Sequence, residues 1–268
     1  VGMSAMSYGA LGENAISSMS YGLGMATGSW VHTGEGGLAP YHTIGGGDVI
    51  MQIGSGIFGV RNKDGSFSWE KFREKSENPQ LRCFEIKLAQ GAKIRGGHVE
   101  GSKINEEIAA IRGVEPWKTV DSPNRHNQFH DLASLFDFID EMRSQGGKPI
   151  GVKMVMGGSD GADDLARFMS ETGRGPDYIT VDGGEGGSGA TYQEMADSMG
   201  VPIKSALIYC DDALRRFGVR GKVKLFASGK LFSPDKIAIA LASGADLVNI
   251  ARGMMISVGC IGAQKCHT

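Results

Sequence analysis

Two lysines, Lys87 and Lys153, stand in the middle of strand-like segments with an apolar residue on each side. Side chains alternate along a strand, so both ammonium groups would point into the sheet interior if their apolar neighbours face outer helices. Unpaired charge there is costly. One interpretation is an interior salt bridge, for instance between Lys87 and Glu85. The other is an anionic ligand, or an electron-rich ring, held over the sheet.

Two short polar loops each follow one of the last two strand-like runs. The first contains Ser228, Gly229 and Lys230, and the second contains Arg252 and Gly253. Either loop alone is typical of a tight turn. Because the last two strands of a (β/α)8 barrel often carry a phosphate site, the two loops together favour phosphate binding.

The segment 181–190 holds the densest group of glycines. Gly184, Gly186 and Gly189 match the dinucleotide-binding fingerprint, and Asp211 and Asp212 follow at about the distance of a ribose partner. That fingerprint belongs in the first βα unit of an open sheet, whereas this stretch follows the sixth strand-like run. A barrel loop is therefore the favoured interpretation over a Rossmann site.

Composition excludes several classes of protein. The 268 residues carry a net charge of −2 with basic and acidic residues interspersed, which gives no footprint for nucleic acid. No apolar run reaches the ~18 residues of a membrane helix. The 42 glycines lack a collagen period and cluster after strand-like runs, and the four cysteines are too few for a disulfide framework. We expect a cytoplasmic protein with ligand-facing loops.

Metal-ligand patterns are weak. The six histidines show no spacing of the HExxH type. Cys260 and Cys266 stand close together near the end, but two thiolates alone make neither a zinc site nor a usual iron–sulfur site. Without further context, two free buried cysteines are the default.

Strand-like runs that end in glycine or polar loops predict one (β/α)8 TIM barrel spanning residues 1–268. The runs begin near residues 3, 30, 84, 119, 149, 178, 223 and 246, and most are separated by helix-like segments. Residues 38–82 have weaker periodicity and are predicted to be an insertion. A strand almost at the first residue predicts that the barrel is truncated, and the resemblance described next extends this prediction to both ends. The active site is then expected in the loops after the strands.

Seven segments in the same order resemble the flavin domain of glutamate synthase. The closest similarity is to stand-alone glutamate-synthase-like proteins and the flavin subunit of N-methylglutamate synthase. The segments are Ser4-Ala-Met-Ser-Tyr-Gly-Ala10, Thr33-Gly-Glu-Gly-Gly37, Glu85-Ile-Lys-Leu-Ala-Gln-Gly-Ala-Lys93, Ser122-Pro123, Val152-Lys-Met154, Asp182-Gly-Gly-Glu-Gly-Gly-Ser-Gly-Ala190 and Gly259-Cys-Ile-Gly-Ala-Gln-Lys-Cys-His-Thr268.

The resemblance implies an FMN-dependent enzyme that reduces 2-iminoglutarate, formed from 2-oxoglutarate and ammonia, to glutamate. A glutaminase or amidotransferase unit would supply ammonia, and an electron-donor protein would supply electrons through a 3Fe-4S cluster. The alternatives are an N-methylglutamate synthase-type flavin subunit that uses methylamine, or a non-catalytic barrel fragment or binding subunit.

The same resemblance assigns roles to particular residues. Substrate would be held by Glu35, Lys87 and Arg112, with His98 at a substrate-binding position. FMN would be contacted by Met6, Ser7, Gln90, Lys93, Lys153, Gly183, Gly184 and Gly186, with its phosphate on Ser228, Gly229, Lys230, Arg252 and Gly253. Two of three cluster ligands would be Cys260 and Cys266.

Three departures from the family pattern limit this transfer. His98 stands where a glutamine is expected, and the segment from Ser122 to His126 lacks a doubled histidine. The third cluster cysteine would fall beyond Thr268. The first two changes concern the substrate side, so FMN is the firmer expectation.

Overall fold

A computed structural model describes residues 1–92, 97–187 and 193–263. Within these ranges, eight strands form one parallel sheet in the order β1-β10-β9-β8-β7-β4-β3-β2, and two more form a small antiparallel pair, β5-β6. The strands are β1 (Gly2–Met3), β2 (Trp30–His32), β3 (Asp48–Ile53), β4 (Leu81–Lys87), β5 (His98–Val99), β6 (Val120–Asp121), β7 (Ile150–Met154), β8 (Tyr178–Asp182), β9 (Lys224–Ser228) and β10 (Leu247–Ile250).

The two ends of the sheet order, β1 and β2, meet at Gly2 and Trp30. A Cβ atom on Gly2 would lie 2.3 Å from the Trp30 indole ring, so glycine leaves the room that this ring occupies. Trp30 Nε1 also donates a hydrogen bond to Asn249 Oδ1 on β10 at 3.1 Å. The sheet therefore comes round on itself, and the expected (β/α)8 barrel is confirmed.

Helices alternate with the barrel strands, and local sequence signals set their ends. Asn105 and Asp131 each accept a hydrogen bond from the third residue of the helix that follows. Gly113 and Gly147 end the same two helices with left-handed φ angles of 72° and 62°. No helix in the described ranges is long and apolar enough to cross a bilayer. The helices are α1 (Glu13–Met25), α2 (Pro40–Thr43), α3 (Trp69–Ser76), α4 (Glu106–Arg112), α5 (Leu132–Gly146), α6 (Asp160–Thr172), α7 (Ile203–Arg216), α8 (Pro234–Ala242), α9 (Arg252–Ser257) and α10 (Cys260–Ala263).

Strand β4 shows how alternation separates the core from the site. Phe84 and Ile86 are fully buried on the helix side, and the Phe84 ring lies 4.5 Å from that of Phe72 on α3. Burying side chains of this size stabilises the fold by about 1.5–3 kcal/mol each. Glu85 and Lys87 occupy the alternate positions and face the barrel interior, as predicted.

The predicted insertion at residues 38–82 is wrong, because that segment contains the third barrel strand, β3. Residues 49–53 are all buried, so both faces are covered and no alternation marks the strand. The run near residue 119, counted as a barrel strand, forms β6 instead and pairs antiparallel with β5 outside the barrel. The insertion therefore lies between β4 and α5. The two errors offset one another, so β8 is still the sixth barrel strand.

Candidate active site

The main cavity lies at the carboxyl ends of the barrel strands and measures about 800 Å³. Loops after six of the eight barrel strands contribute to its wall. A cavity of this volume suits a cofactor-sized ligand. Its lining consists of residues 4–7, 10–11, 34–35, 185–187, 228–232, 249–252 and 255–256, with Gln52, Lys87, Gln90, Lys153 and Asp182.

Two buried or nearly buried lysines point into this cavity from neighbouring strands. Lys87 and Lys153 are opposite each other in the β4–β7 register. Lys87 Nζ donates to Glu35 Oε1 at 2.6 Å and to Gln90 Oε1 at 2.8 Å. Lys153 Nζ lies 3.5 Å from Asp182 Oδ2. The interior ion pair that the sequence suggested therefore exists, but its carboxylate is Glu35 rather than Glu85.

Glu85 belongs to a polar layer directly below the two lysines. Its Oε1 accepts hydrogen bonds from His32 Nε2 at 3.1 Å and Gln52 Nε2 at 2.6 Å, and Thr180 donates to its other oxygen. Burial would raise the pKa of Glu85, but His32, Lys153 and Thr180 outweigh it and lower the pKa to about 2. A fixed negative charge thus lies beneath the cationic pair.

Glu35 stands between the two lysines and the outer wall of the site. Burial alone would raise the pKa of its carboxyl, but the charge and hydrogen bond of Lys87 outweigh that effect. Lys153 and Arg112 act in the same direction, and the pKa lies below its ordinary value. A Cβ atom on Gly54 would come within 2.1 Å of Glu35 Oε2, so a side chain at this position would displace the carboxylate.

The glycines that follow β8 allow close packing between loops. A Cβ atom on Gly91 would lie 1.6 Å from the Gly183 carbonyl oxygen, and one on Gly184 would lie 2.2 Å from that of Gly200. Gly91 N also donates to Asp182 Oδ2 at 2.8 Å. Because β8 is the sixth strand of a closed barrel, the strand order excludes the Rossmann interpretation of this stretch.

Only part of this stretch faces the main cavity. Residues 185–187 and Asp182 line it, whereas Gly183 and Gly184 pack behind. Gln90 Nε2 donates to the Gly187 carbonyl at 3.1 Å and ties the two loops together. Among the described residues, Asp182 Oδ1 is buried without a hydrogen-bond partner. Such an acceptor fits a ligand that donates a hydrogen bond.

The predicted phosphate loops meet in the same cavity. Ser228, Gly229, Lys230 and Arg252 all line it, and Arg252 begins α9. Gly229 has a left-handed φ of 133°. Gly253 does not belong to the lining, because it packs against Ile250 and Phe232.

The first loop of the barrel lines the main cavity from the other side. Ser4 Oγ lies 3.4 Å from Ser228 Oγ, so this loop approaches the predicted phosphate loops. Met6 and Ser7 line the cavity, as expected. A Cβ atom on Gly34 would come within 2.8 Å of Ser7 N, so Gly34 allows the first two loops to pack closely.

Arg112 and His98 lie away from the lysine pair. Arg112 is buried, donates to the Tyr8 carbonyl at 3.2 Å and stands over the Phe58 ring at 5.3 Å. Burial lowers the pKa of Arg112, and the charge of Glu35 opposes that shift. His98 is exposed and lies 2.6 Å from Asp121 through Nδ1. Neither residue lines the main cavity or the side cavity described below.

The side chains of three predicted binding residues lie outside the described part of the structure. Lys93 and Cys266 lie outside the described residues, and Cys260 begins α10 without a described side chain. In the described part of the chain, no group of three or more His, Cys, Asp or Glu is arranged to hold a metal ion.

A second cavity, the side cavity, adjoins the main cavity at Glu35 and Lys87 and measures about 390 Å³. The insertion after β4 and the start of α5 form most of its wall. His126 Nε2 donates to the Lys87 carbonyl at 3.0 Å, and its ring stacks on Phe129. Burial lowers the pKa of His126. The lining consists of Glu35, Ser55, Lys87, Leu135 and residues 88–89, 124–126 and 129–132.

Sequence reasoning missed several of these groups. The sequence patterns include Asp182 only within the glycine motif and give no prediction for His32 or Gln52. His32 Nδ1 accepts a hydrogen bond from Gly34 N at 3.3 Å and so holds the loop that carries Glu35. A polar residue inside a buried strand, such as Gln52 in β3, is the signal that could have revealed this layer.

Comparison with known proteins shows the family of this chain. The family model for the conserved region in glutamate synthase matches residues 1–268. The chain belongs to this family. It is 56% identical over 268 residues to the glutamate synthase large subunit-like protein YerD of Bacillus subtilis, covering 100% of this chain and 51% of that protein. It is 33% identical over 269 residues to the archaeal glutamate synthase [NADPH] of Methanocaldococcus jannaschii, covering 98% of this chain and 49% of that protein.

This glutamate synthase family chain thus spans about half the length of these relatives. Its barrel is also similar to that of a flavocytochrome b2 mutant with pyruvate bound, with a TM-score of 0.58 and 14% identity over 99% of this chain and 60% of that one. At this identity, the similarity shows the fold.

Proposed function

We propose that this chain is the FMN-binding catalytic barrel of a glutamate synthase-type oxidoreductase that reduces 2-iminoglutarate to glutamate. The observation that carries the proposal is the pair of interior lysines, Lys87 and Lys153, fixed by Glu35 and Asp182 at the mouth of a barrel of this family. Each ammonium group has three N–H donors, and donors that are not used by Glu35, Gln90 or Asp182 can bind a ligand oxygen.

The main cavity fits FMN on two independent grounds. Ser228, Gly229, Lys230 and Arg252 offer hydroxyl, backbone and cationic donors to a phosphate at one side. At the other side, the buried Asp182 Oδ1 lacks a partner among the described residues and suits a hydroxyl or ring N–H donor. Bound FMN would supply the hydride that reduces the imine. A flavocytochrome b2, a flavoprotein by name, has a similar barrel, and this similarity of fold supports the proposal.

The chain's own residues would hold and orient the substrate. Lys87 would bind a substrate carboxylate, or the carbonyl oxygen of the 2-oxo acid, as a point charge. Because its pKa is lowered, Glu35 is a carboxylate in the free protein and would accept a hydrogen bond from the imine N–H rather than protonate it. Lys153, between Asp182 and the Glu85 layer, would stabilise negative charge on the reduced ring.

The partners of the whole protein follow from the same family membership and are part of the proposal. A glutaminase or amidotransferase would provide ammonia, and an electron-donor protein would reduce the flavin. Cys260 and Cys266 would contribute to an iron–sulfur cluster whose third ligand lies elsewhere.

A single-turnover experiment tests the proposal. The chain is reconstituted with FMN, reduced with dithionite without oxygen, and mixed with 2-oxoglutarate and ammonia, with each reagent alone as a control. We expect the flavin to be reoxidised only with both reagents, and one glutamate to form per flavin. Failure to bind FMN, or a reduced flavin that persists with both reagents, contradicts the proposal. Replacing ammonia by methylamine separates an N-methylglutamate synthase from a glutamate synthase.

A further inference from the structure

The side cavity has one cation whose role is unexplained by the contacts around it. Of its four charged groups, Lys87 and Glu35 bind each other at 2.6 Å. Asp131 caps α5, where its Oδ1 accepts from Ser134 N at 2.8 Å and from Ser134 Oγ at 2.6 Å. The fourth is Arg125 at the exposed rim, which has no ion pair or hydrogen bond within the described ranges.

The rest of the side cavity combines apolar walls with this charged rim. Leu88, Phe129, Leu132 and Leu135 line it together with the Lys87–Glu35 pair. Apolar walls suit methylene groups, and a guanidinium fork suits a carboxylate. The wall therefore matches a short carbon chain that ends in a carboxylate.

Arg112 does not meet this need in the structure. Its Nη2 donates to the Tyr8 carbonyl, its guanidinium stands over the Phe58 ring, and its buried Nε has no partner among the described residues, but it lines neither cavity. A substrate with two carboxylates, placed at Lys87, offers its second carboxylate to a cation on another element. Arg125 is the arginine that lines the side cavity with Lys87, whereas Arg252 lines the main cavity at the predicted phosphate loops.

We propose that Arg125 determines specificity by binding the distal carboxylate of a five-carbon 2-oxo diacid whose reacting carbon lies beside Lys87 and Glu35. The inference rests on the proposed function for the reacting end of the substrate. The carbon chain would start beside the closed Lys87–Glu35 pair and run along the leucine and phenylalanine wall of the side cavity. Selection for a diacid over a monoacid would then come from the insertion after β4 and not from the barrel.

Isothermal titration calorimetry on the full chain, with and without added FMN, tests this directly. The ligands are glutarate, which has both carboxylates but no reactive carbonyl, and valerate, which has the same length and one carboxylate. We expect Arg125→Gln to raise the Kd of glutarate by about 10- to 100-fold and to change that of valerate by less than about twofold. Arg125→Lys, which keeps the charge but loses the fork, should fall between.

The matched control is Arg167→Gln on the outer helix α6, which should leave both Kd values unchanged. Three results would overturn the inference: glutarate binding unchanged in Arg125→Gln, equal weakening of both ligands, or no preference for glutarate in the parent chain. The proposed function is judged separately. If FMN does not bind but glutarate binding still depends on Arg125, that function fails while the diacid site stands. If imine reduction proceeds equally well in Arg125→Gln, the function stands and the diacid site fails.

Discussion

The main cavity and the side cavity share Glu35 and Lys87, yet they are built in different ways. In the main cavity, Lys153 pairs with the buried Asp182 on β8, Lys87 pairs with Glu35 on the loop after β2, and Glu85 is fully enclosed below them. In the side cavity, the wall comes from an insertion, and its cation Arg125 lies exposed at the rim. The barrel thus presets the charges where a cofactor would bind, while the insertion can change specificity without disturbing them.

The largest effect is expected from removing the charge beneath the main cavity. Glu85→Ala leaves His32, Gln52 and Thr180 without their shared acceptor and should lower the free energy of unfolding by about 3–5 kcal/mol. Urea denaturation measures this. Glu171→Ala on the exposed side of α6 is the control and should change stability by less than about 0.5 kcal/mol. An equal loss in both variants would show that the layer has no special role.

Acid should weaken the barrel through the same carboxylate. The pKa of Glu85 is lowered from 4.5 to about 2, so its stabilisation is complete above about pH 4.5 and is lost as the pH falls through 2. The contribution of this group is about 3 kcal/mol. Between these pH values, the free energy of unfolding should fall more steeply with decreasing pH for the parent chain than for Glu85→Gln. The same pH dependence in both proteins would contradict the assignment.

Lys87, one of the two residues that line both cavities, should affect the rate of turnover more than the affinity for FMN. Lys87→Met removes a charge-assisted contact and should slow reoxidation of the reduced flavin by 2-oxoglutarate and ammonia by about 10- to 100-fold. The Kd of FMN should change by less than about threefold. Lys63→Met on the exposed 62–65 turn is the matched control. A large loss of FMN affinity instead would move Lys87 to the cofactor side.

The close packing of two loops should make the chain sensitive to substitution at Gly91. Gly91→Ala places a methyl group against the Gly183 carbonyl and should destabilise the chain by about 1–3 kcal/mol and weaken FMN binding. Gly157→Ala serves as control, since a Cβ there meets nothing within 4 Å. Thermal unfolding and FMN titration compare the two variants. If both behave like the parent chain, the two loops do not depend on this contact.

The smallest effect is expected at the phosphate end. Lys230 is partly exposed and paired with Asp197 at 2.7 Å, so its contribution is screened. Lys230→Met should raise the Kd of FMN by roughly three- to tenfold and leave that of riboflavin, which lacks the phosphate, unchanged. Fluorescence titration with both flavins gives the ratio. Equal weakening of both would place the phosphate elsewhere.

The sequence predicts the parts of this molecule that follow from local patterns. Alternation in β4 correctly predicts that Lys87 points into the barrel. The order of the loops correctly predicts that residues 228–230 and 252 lie at one cavity. It could not identify β3, because a strand buried on both faces shows no alternation. It also could not choose Glu35 over Glu85 as the partner of Lys87, since that choice depends on how distant loops meet.

The glycine motif after β8 illustrates the same limit. Its spacing matches a dinucleotide fingerprint, yet Gly183 and Gly184 serve contacts with Gly91 and Gly200, which are far away in sequence. The orientation of Arg112 likewise depends on Tyr8, from the first loop of the barrel. Pairings between distant segments are set by the barrel register, which no local motif contains.

The most direct test of the account is a crystal structure of the chain with FMN. We predict the flavin in the main cavity, with its phosphate on Ser228, Gly229, Lys230 and Arg252 and its ring beside Gln90 and Lys153. The side cavity should remain free of flavin. A phosphate bound directly by residues 183–187, or a flavin ring in the side cavity, would contradict this division between cofactor and substrate.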